Sequence, residues 1–94
     1  MNEIEFRCWL TANNYKPKLI SDAVSRLKRL IQMLGHIDLD SEYQSNHLAP
    51  LLDDFAKKPK AVTERNIAIR ALKQPLTYKY ALNLYIRFYD AKII

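Results

Sequence analysis

A single glycine, Gly35, serves all 94 residues, and this scarcity constrains the fold more than any other feature. Sandwiches and barrels return their strands through tight turns that draw on Gly, Asn and Asp at positive φ. A chain with one glycine and several stretches of apolar residues at helical spacing is expected to be all-α, a small bundle of about four or five helices. The length suits one hydrophobic core and leaves no room for a second, so a single helical domain over residues 1–94 is expected. Hydrophobic residues make up 49% and charged residues 27%, the balance of a folded chain rather than a disordered one.

The clearest helix spans residues 17–34. Pro17 suits a first helical turn, where its missing N–H would have had no partner. Ile20, Ala23, Val24, Leu27, Leu30, Ile31 and Leu34 follow helical spacing, and Gly35 stands just beyond, where a left-handed cap is expected. The opposite face carries Asp22, Ser25, Arg26, Lys28, Arg29 and Gln32. A first helix over about residues 2–12 places Glu3 and Glu5 where the helix dipole favours carboxylates. Phe6, Trp9 and Leu10 form its apolar arc, with Ile4 and Cys8 beside it. Asn13-Asn14 then supplies the break, since Asn tolerates the left-handed conformation.

Residues 38–46 are polar and acidic and read as a loop, with room for one helical turn. A third helix is expected over residues 47–58, with Leu48, Leu51, Leu52 and Phe55 on one side and Pro59 as its terminator. Thr63 is a suitable N-cap for a fourth helix over residues 63–73 carrying Ile67, Ala68, Ala71 and Leu72. Pro75 marks the next boundary. The final helix, residues 77–92, has a wide apolar arc of Tyr78, Ala81, Leu82, Tyr85, Phe88 and Tyr89. Lys79, Asn83 and Arg87 recur at i, i+4, i+8 opposite it, and Tyr80, Leu84 and Ile86 belong to neither stripe. So apolar a helix is either central to the core or keeps a face for a partner.

Charge is segregated. Residues 56–94 carry nine Lys or Arg against Glu64 and Asp90, a net of +7, while the first 55 carry six against eight, a net of −2. A field concentrated at one end attracts polyanions, nucleic acid being the commonest. Lys57, Lys58 and Lys60, followed by Arg65, Arg70 and Lys73, can track phosphates, each contact releasing a counterion. For any one lysine the plainer reading is a solvated surface. Arg26, Arg29 and Arg87 are the better candidates for bidentate contact with phosphates or base edges, which the planar guanidinium fork matches. The C-terminal aromatics read first as core and second as a stacking surface. Tyr80, off the apolar arc and beside Lys79, is the one that stands apart.

No catalytic pattern emerges: there is no P-loop, no glycine-rich dinucleotide loop and no Ser/His/Asp set. A non-enzymatic protein without cofactor is expected. His36 and His47 flank Asp38, Asp40 and Glu42, residue types that bind divalent metals, but no ligand spacing such as His-x-x-x-His occurs, so no metal site is expected. Asp53 and Asp54 read as exposed. Lone Cys8 excludes an intramolecular disulfide and a cysteine-based zinc site, favours a reducing compartment, and reads as a small core residue. No apolar run approaches the ~18 residues of a membrane span, and the N-terminal residues lack a signal-peptide pattern; a cytoplasmic location is expected.

Three segments together resemble the N-terminal SAM-like, or core-binding, domain of tyrosine recombinases and phage integrases. They are Phe6-x-x-Trp9-Leu10, the Pro-initiated helix with Ser25-Arg26-Leu27-Lys28-Arg29-Leu30, and Thr77 followed by Ala81-Leu82, Tyr85 and Phe88. The resemblance implies a four-helix bundle gripping one side of duplex DNA. Lys18, Ser25, Lys28 and Arg29 on the second helix, with Lys79, Asn83 and Arg87 on the last, would then face the DNA. The family's catalytic Arg, His-x-x-Arg and Tyr nucleophile have no counterpart in these residues, so the resemblance implies binding without strand cleavage, in a module of phage or mobile-element origin. A second expectation comes from the apolar last helix. Leu84, Ile86, Ile93 and Ile94 remain after its core arc is filled, which suits a protein–protein interaction module, such as a regulator or inhibitor of a host complex, or a homodimer through that helix.

Overall fold

The computed structural model describes residues 1–58 and 61–93. Among these it contains six helices and no strand: α1 Glu3–Ala12, α2 Pro17–Met33, α3 Leu39–Asn46, α4 Ala49–Asp53, α5 Glu64–Arg70 and α6 Pro75–Ile93. The all-helical expectation holds. Helices α2 and α6 form the most extensive pairing, and α1 packs against both. Their shared seam contains Phe6, Leu10, Val24, Leu27, Leu30, Leu82, Tyr85 and Phe88, all buried.

Local signals set the ends of the long helices. Asn14 takes a left-handed φ of 65° between α1 and α2, and Pro17 opens α2. Gly35, at φ 86°, lies just beyond the C-cap of α2, and a Cβ added there would meet nothing within 4 Å. The cost of a side chain at this position is therefore a backbone cost. Gly35→Ala is expected to lower stability by roughly 1 kcal/mol, within the range for left-handed L-residues, and Gly35→Asn by less. Urea denaturation followed by helical circular dichroism reads both.

The middle of the chain departs from expectation. Residues 38–46 are not a loop: Asp38 caps α3 by accepting from the backbone N–H groups of Asp40 at 3.0 Å and Ser41 at 3.4 Å. Asp40 and Glu42 then occupy the first turn, where carboxylates are favoured, and Leu39 and Tyr43, one turn apart, are buried. The helix expected over 47–58 is cut short at both ends. His47 and Leu48 both adopt left-handed backbone, at φ 57° and 58°, so helix α4 begins only at Ala49 and closes at Asp53. Left-handed backbone costs a leucine roughly 1–2 kcal/mol; complete burial of the Leu48 side chain is worth about as much. Pro59, expected to end this helix, lies outside the described residues.

Helix α5 is shorter than expected and buries a different side. Thr63 caps it as anticipated, accepting from the Asn66 N–H at 3.0 Å. Its buried residues, however, are Asn66 and Ile69, while Ile67 is exposed. The cause is a polar knot. Asp54, expected to be exposed, is only 4% exposed; it accepts from the Thr63 hydroxyl at 2.8 Å and lies 3.1 Å from Arg65 Nε. Asn66 Nδ2 donates to the Asp54 carbonyl at 2.8 Å, and Arg65 reaches Glu42 at 2.7 Å. These bonds orient α5 more strongly than its apolar stripe does. On α1, Ile4 and Cys8 face outward rather than adjoining the core.

Candidate nucleic-acid interface

The link between α5 and α6 lies beside α2 and makes a concave surface with it. Arg26 and Arg29 of α2 share a groove of 570 Å³ with Leu72, Lys73, Gln74 and Thr77. A smaller hollow of 280 Å³ adds Ser25 and sets the same two arginines against Tyr78. Along α2 toward its N-terminus, Lys16, Lys18, Leu19, Asp22 and Arg26 enclose a 320 Å³ hollow with Tyr80. Tyr80 in turn walls a 270 Å³ hollow on α6 with Asn83, Leu84, Ile86 and Arg87. Arg26 is common to the first three hollows and Tyr80 to the last two, so adjoining hollows share walls and together make up a track.

The electrostatics of the track are one-sided. Its walls carry Lys16, Lys18, Arg26, Arg29, Lys73 and Arg87 against a single carboxylate, Asp22, which pairs with Lys18 at 3.7 Å. Arg26, Arg29, Lys73 and Arg87 form no ion pair among the described residues. Cations gathered along a groove with low-dielectric walls focus their field and favour a polyanion over isolated anions.

Not every expected contact residue joins the track. Lys28 turns to the other side of α2 and pairs with Glu3 of α1 at 2.6 Å, so it faces the α1 surface rather than the groove. Arg65 is withdrawn into the knot with Glu42 and Asp54. Lys57 and Arg70 border a separate, largely apolar cleft of 410 Å³ with Phe55, Ile69, Pro75 and Leu76, and Arg70 donates to the Lys57 carbonyl at 2.6 Å. The 57–73 segment is therefore not one phosphate-tracking strip; of its described cations only Lys73 lies in the track. Lys58 is exposed and Lys79 half-buried, and neither borders these hollows. Lys60 lies outside the described residues. Lys16 and Gln74, and Thr77 of the resemblance motif, line the track without having been expected at the site. The one available signal was Lys16 and Lys18 flanking the Pro17 helix start.

The other aromatic residues belong to the interior. Phe6 meets Tyr85 edge-on at 5.0 Å and Phe88 at 5.5 Å, and Tyr89 packs on Tyr43 at 4.7 Å. Tyr85 donates to Asp40 at 2.5 Å and accepts from the Asn2 N–H at 2.8 Å; burial first, then Asp40, pushes its phenol up. Leu84, expected to remain after the core arc is filled, is 1% exposed, whereas Ile86 is half-buried and Leu76, at the start of α6, is 72% exposed. The side chains of Ile93 and Ile94 lie outside the described part.

A second polar cluster ties α3 to α6. Tyr43 donates to Asp90 Oδ1 at 2.5 Å, and His47 Nε2 lies 2.7 Å from the same oxygen. The Tyr43 hydroxyl, then His47, hold the Asp90 carboxyl below the usual carboxylate range. Asp90, chiefly, pushes Tyr43 up to about 12. A depressed carboxyl contributes stability above its unfolded pKa and loses it as pH falls through the folded value; a raised phenol contributes below its unfolded value and loses it as pH rises through about 12. The contribution is thus complete between roughly pH 4 and pH 10. Asp90→Asn is expected to lower the urea midpoint at pH 7, with the deficit shrinking toward pH 3.

Among the described residues no group of three His, Cys, Asp or Glu is placed to hold a metal ion, and no helix is long and apolar enough to cross a membrane. Neither a family model, a curated protein nor a solved structure matches the chain.

Proposed function

We propose that this chain is a non-catalytic DNA-binding module that holds duplex DNA mainly through its phosphates, as in the core-binding domains of recombinases, and that it serves a phage or mobile element. The observation that carries the reading is the row of adjoining hollows lined by Arg29, Arg26, Tyr80 and Arg87, with six cations and one carboxylate in their walls. Arginine dominates its centre, and the guanidinium fork grips phosphate bidentately where lysine offers only a point charge. Engagement of about four phosphates gives a slope of log affinity against log salt near −3.6, hence about a hundred-fold weakening between about 50 and 200 mM salt. Fluorescence anisotropy of a labelled mixed-sequence duplex over that range is the direct test. Absence of binding at low salt, or a slope near zero, rules the reading out.

A second reading, a helical protein–protein interaction module, draws on the cleft of Phe55, Ile69, Pro75 and Leu76, where Leu76 is 72% exposed. This adds the α5–α6 corner, at the start of α6, to the α6 face as a candidate partner surface. If that corner associates with a second copy, sedimentation at high concentration will show a dimer that Leu76→Asp abolishes. A monomer for both chains removes the self-association form of this reading.

A further inference from the structure

We propose that the track recognises an unpaired or extruded nucleobase and that Tyr80 is the residue that stacks on it; the inference rests on the DNA-binding reading above. The other rings of α6 are occupied: Tyr78, Tyr85 and Phe88 are buried, and Tyr89 lies between Tyr43 and Tyr85. Tyr80 is 46% exposed, yet it is not a free surface ring. It forms the partition between two hollows, one bounded by Lys16 and Arg26 and the other by Arg87. Leu19 supplies apolar surface on the first side and Ile86 on the second.

This arrangement has the chemistry of a nucleotide site. A base is flat and apolar on its faces, and an aromatic ring with aliphatic neighbours receives such a face. The phosphates on either side of that base carry the charge, and cations line both hollows: Lys16, Lys18 and Arg26, with Asp22, in one, and Arg87 in the other. Asn83, one turn beyond Tyr80 and lining the same hollow, offers both an amide donor and an acceptor to a base edge. Within a regular duplex each base face is covered by its neighbours. Only a bulged, mismatched or flipped base presents a face to Tyr80.

The test compares a fully paired duplex with the same duplex carrying one bulged 2-aminopurine, using the full chain and Tyr80→Ala, Tyr80→Leu and Tyr80→Phe. The bulged duplex is expected to bind about 5- to 100-fold tighter, the range for stacking one base on an aromatic side chain, and the 2-aminopurine emission is expected to fall on binding. Tyr80→Ala and Tyr80→Leu lose both effects, and Tyr80→Phe keeps both. Unchanged helical circular dichroism of the variants excludes unfolding as the cause. Equal affinity for the two duplexes, or quenching that survives in Tyr80→Ala, overturns the stacking inference while DNA binding stands. Failure to bind either duplex at low salt overturns the DNA-binding reading and the inference with it.

Discussion

Replacing Arg26 and Arg29 together by alanine is expected to weaken duplex binding by on the order of ten- to a hundred-fold at low salt and to reduce the magnitude of the salt slope by roughly 2. Both side chains wall the 570 Å³ groove, and both also wall the hollow that contains Ser25. Neither is held in an ion pair among the described residues, so their removal subtracts charge from the track without stranding a carboxylate. Lys28→Ala is the internal control. It removes one positive charge from the same helix, half the change of the double variant, but its ammonium sits 2.6 Å from Glu3 and away from the groove. Its affinity is expected to stay within about two-fold, the small effect typical of a peripheral charge. If Lys28→Ala and the double variant behaved alike after allowing for net charge, binding would depend on overall charge and not on the track.

The second large effect concerns the core. Phe6→Ala is expected to cost about 3–5 kcal/mol, a large share of the roughly 5–15 kcal/mol that holds a domain folded. Phe6 is fully buried and joins α1 to α6 through ring contacts with Tyr85 and Phe88 at 5.0 and 5.5 Å. Its loss removes transfer free energy and also opens a cavity that rigid aromatic neighbours fill poorly. Cys8→Ser on the same helix makes the contrast: the thiol is exposed, and the change is expected to stay within about 0.5 kcal/mol. Paired urea titrations measure both. A small loss for Phe6→Ala would mean that α1 is only loosely attached.

What was legible in the sequence was local. Pro17, the Ile20-to-Leu34 spacing, Asn14, Gly35 and Thr63 act through neighbouring backbone, and each performs in the structure as its residue type requires. Helix α3 was hidden because only Leu39 and Tyr43 mark its buried side, and its acidic first turn resembles a loop in composition. Burial of Asp54 was illegible for another reason. A lone Asp reads as surface until Arg65 and Thr63, brought from beyond the next turn, satisfy it. The site divides in the same way. Arg26 and Arg29 announced themselves by their face of α2, whereas the partnership of Lys28 with Glu3 depends on how two helices cross. Tyr80 stood apart in the helical pattern because it fitted neither stripe, and the structure places it at the junction of two hollows.

The walls of the track come from opposite ends of the chain, residues 16–29 on one side and 71–87 on the other. The unfolded chain keeps every one of these charges but has no groove. A ligand that needs the groove therefore binds the folded state in preference, and mass action makes occupancy a source of stability, about 2.7 kcal/mol when free ligand stands at a hundred times its dissociation constant. Such a protein would be most resistant to heat and proteolysis when its ligand is abundant, and a core lesion such as Phe6→Ala would be partly masked under saturating ligand. Thermal denaturation then doubles as a binding assay.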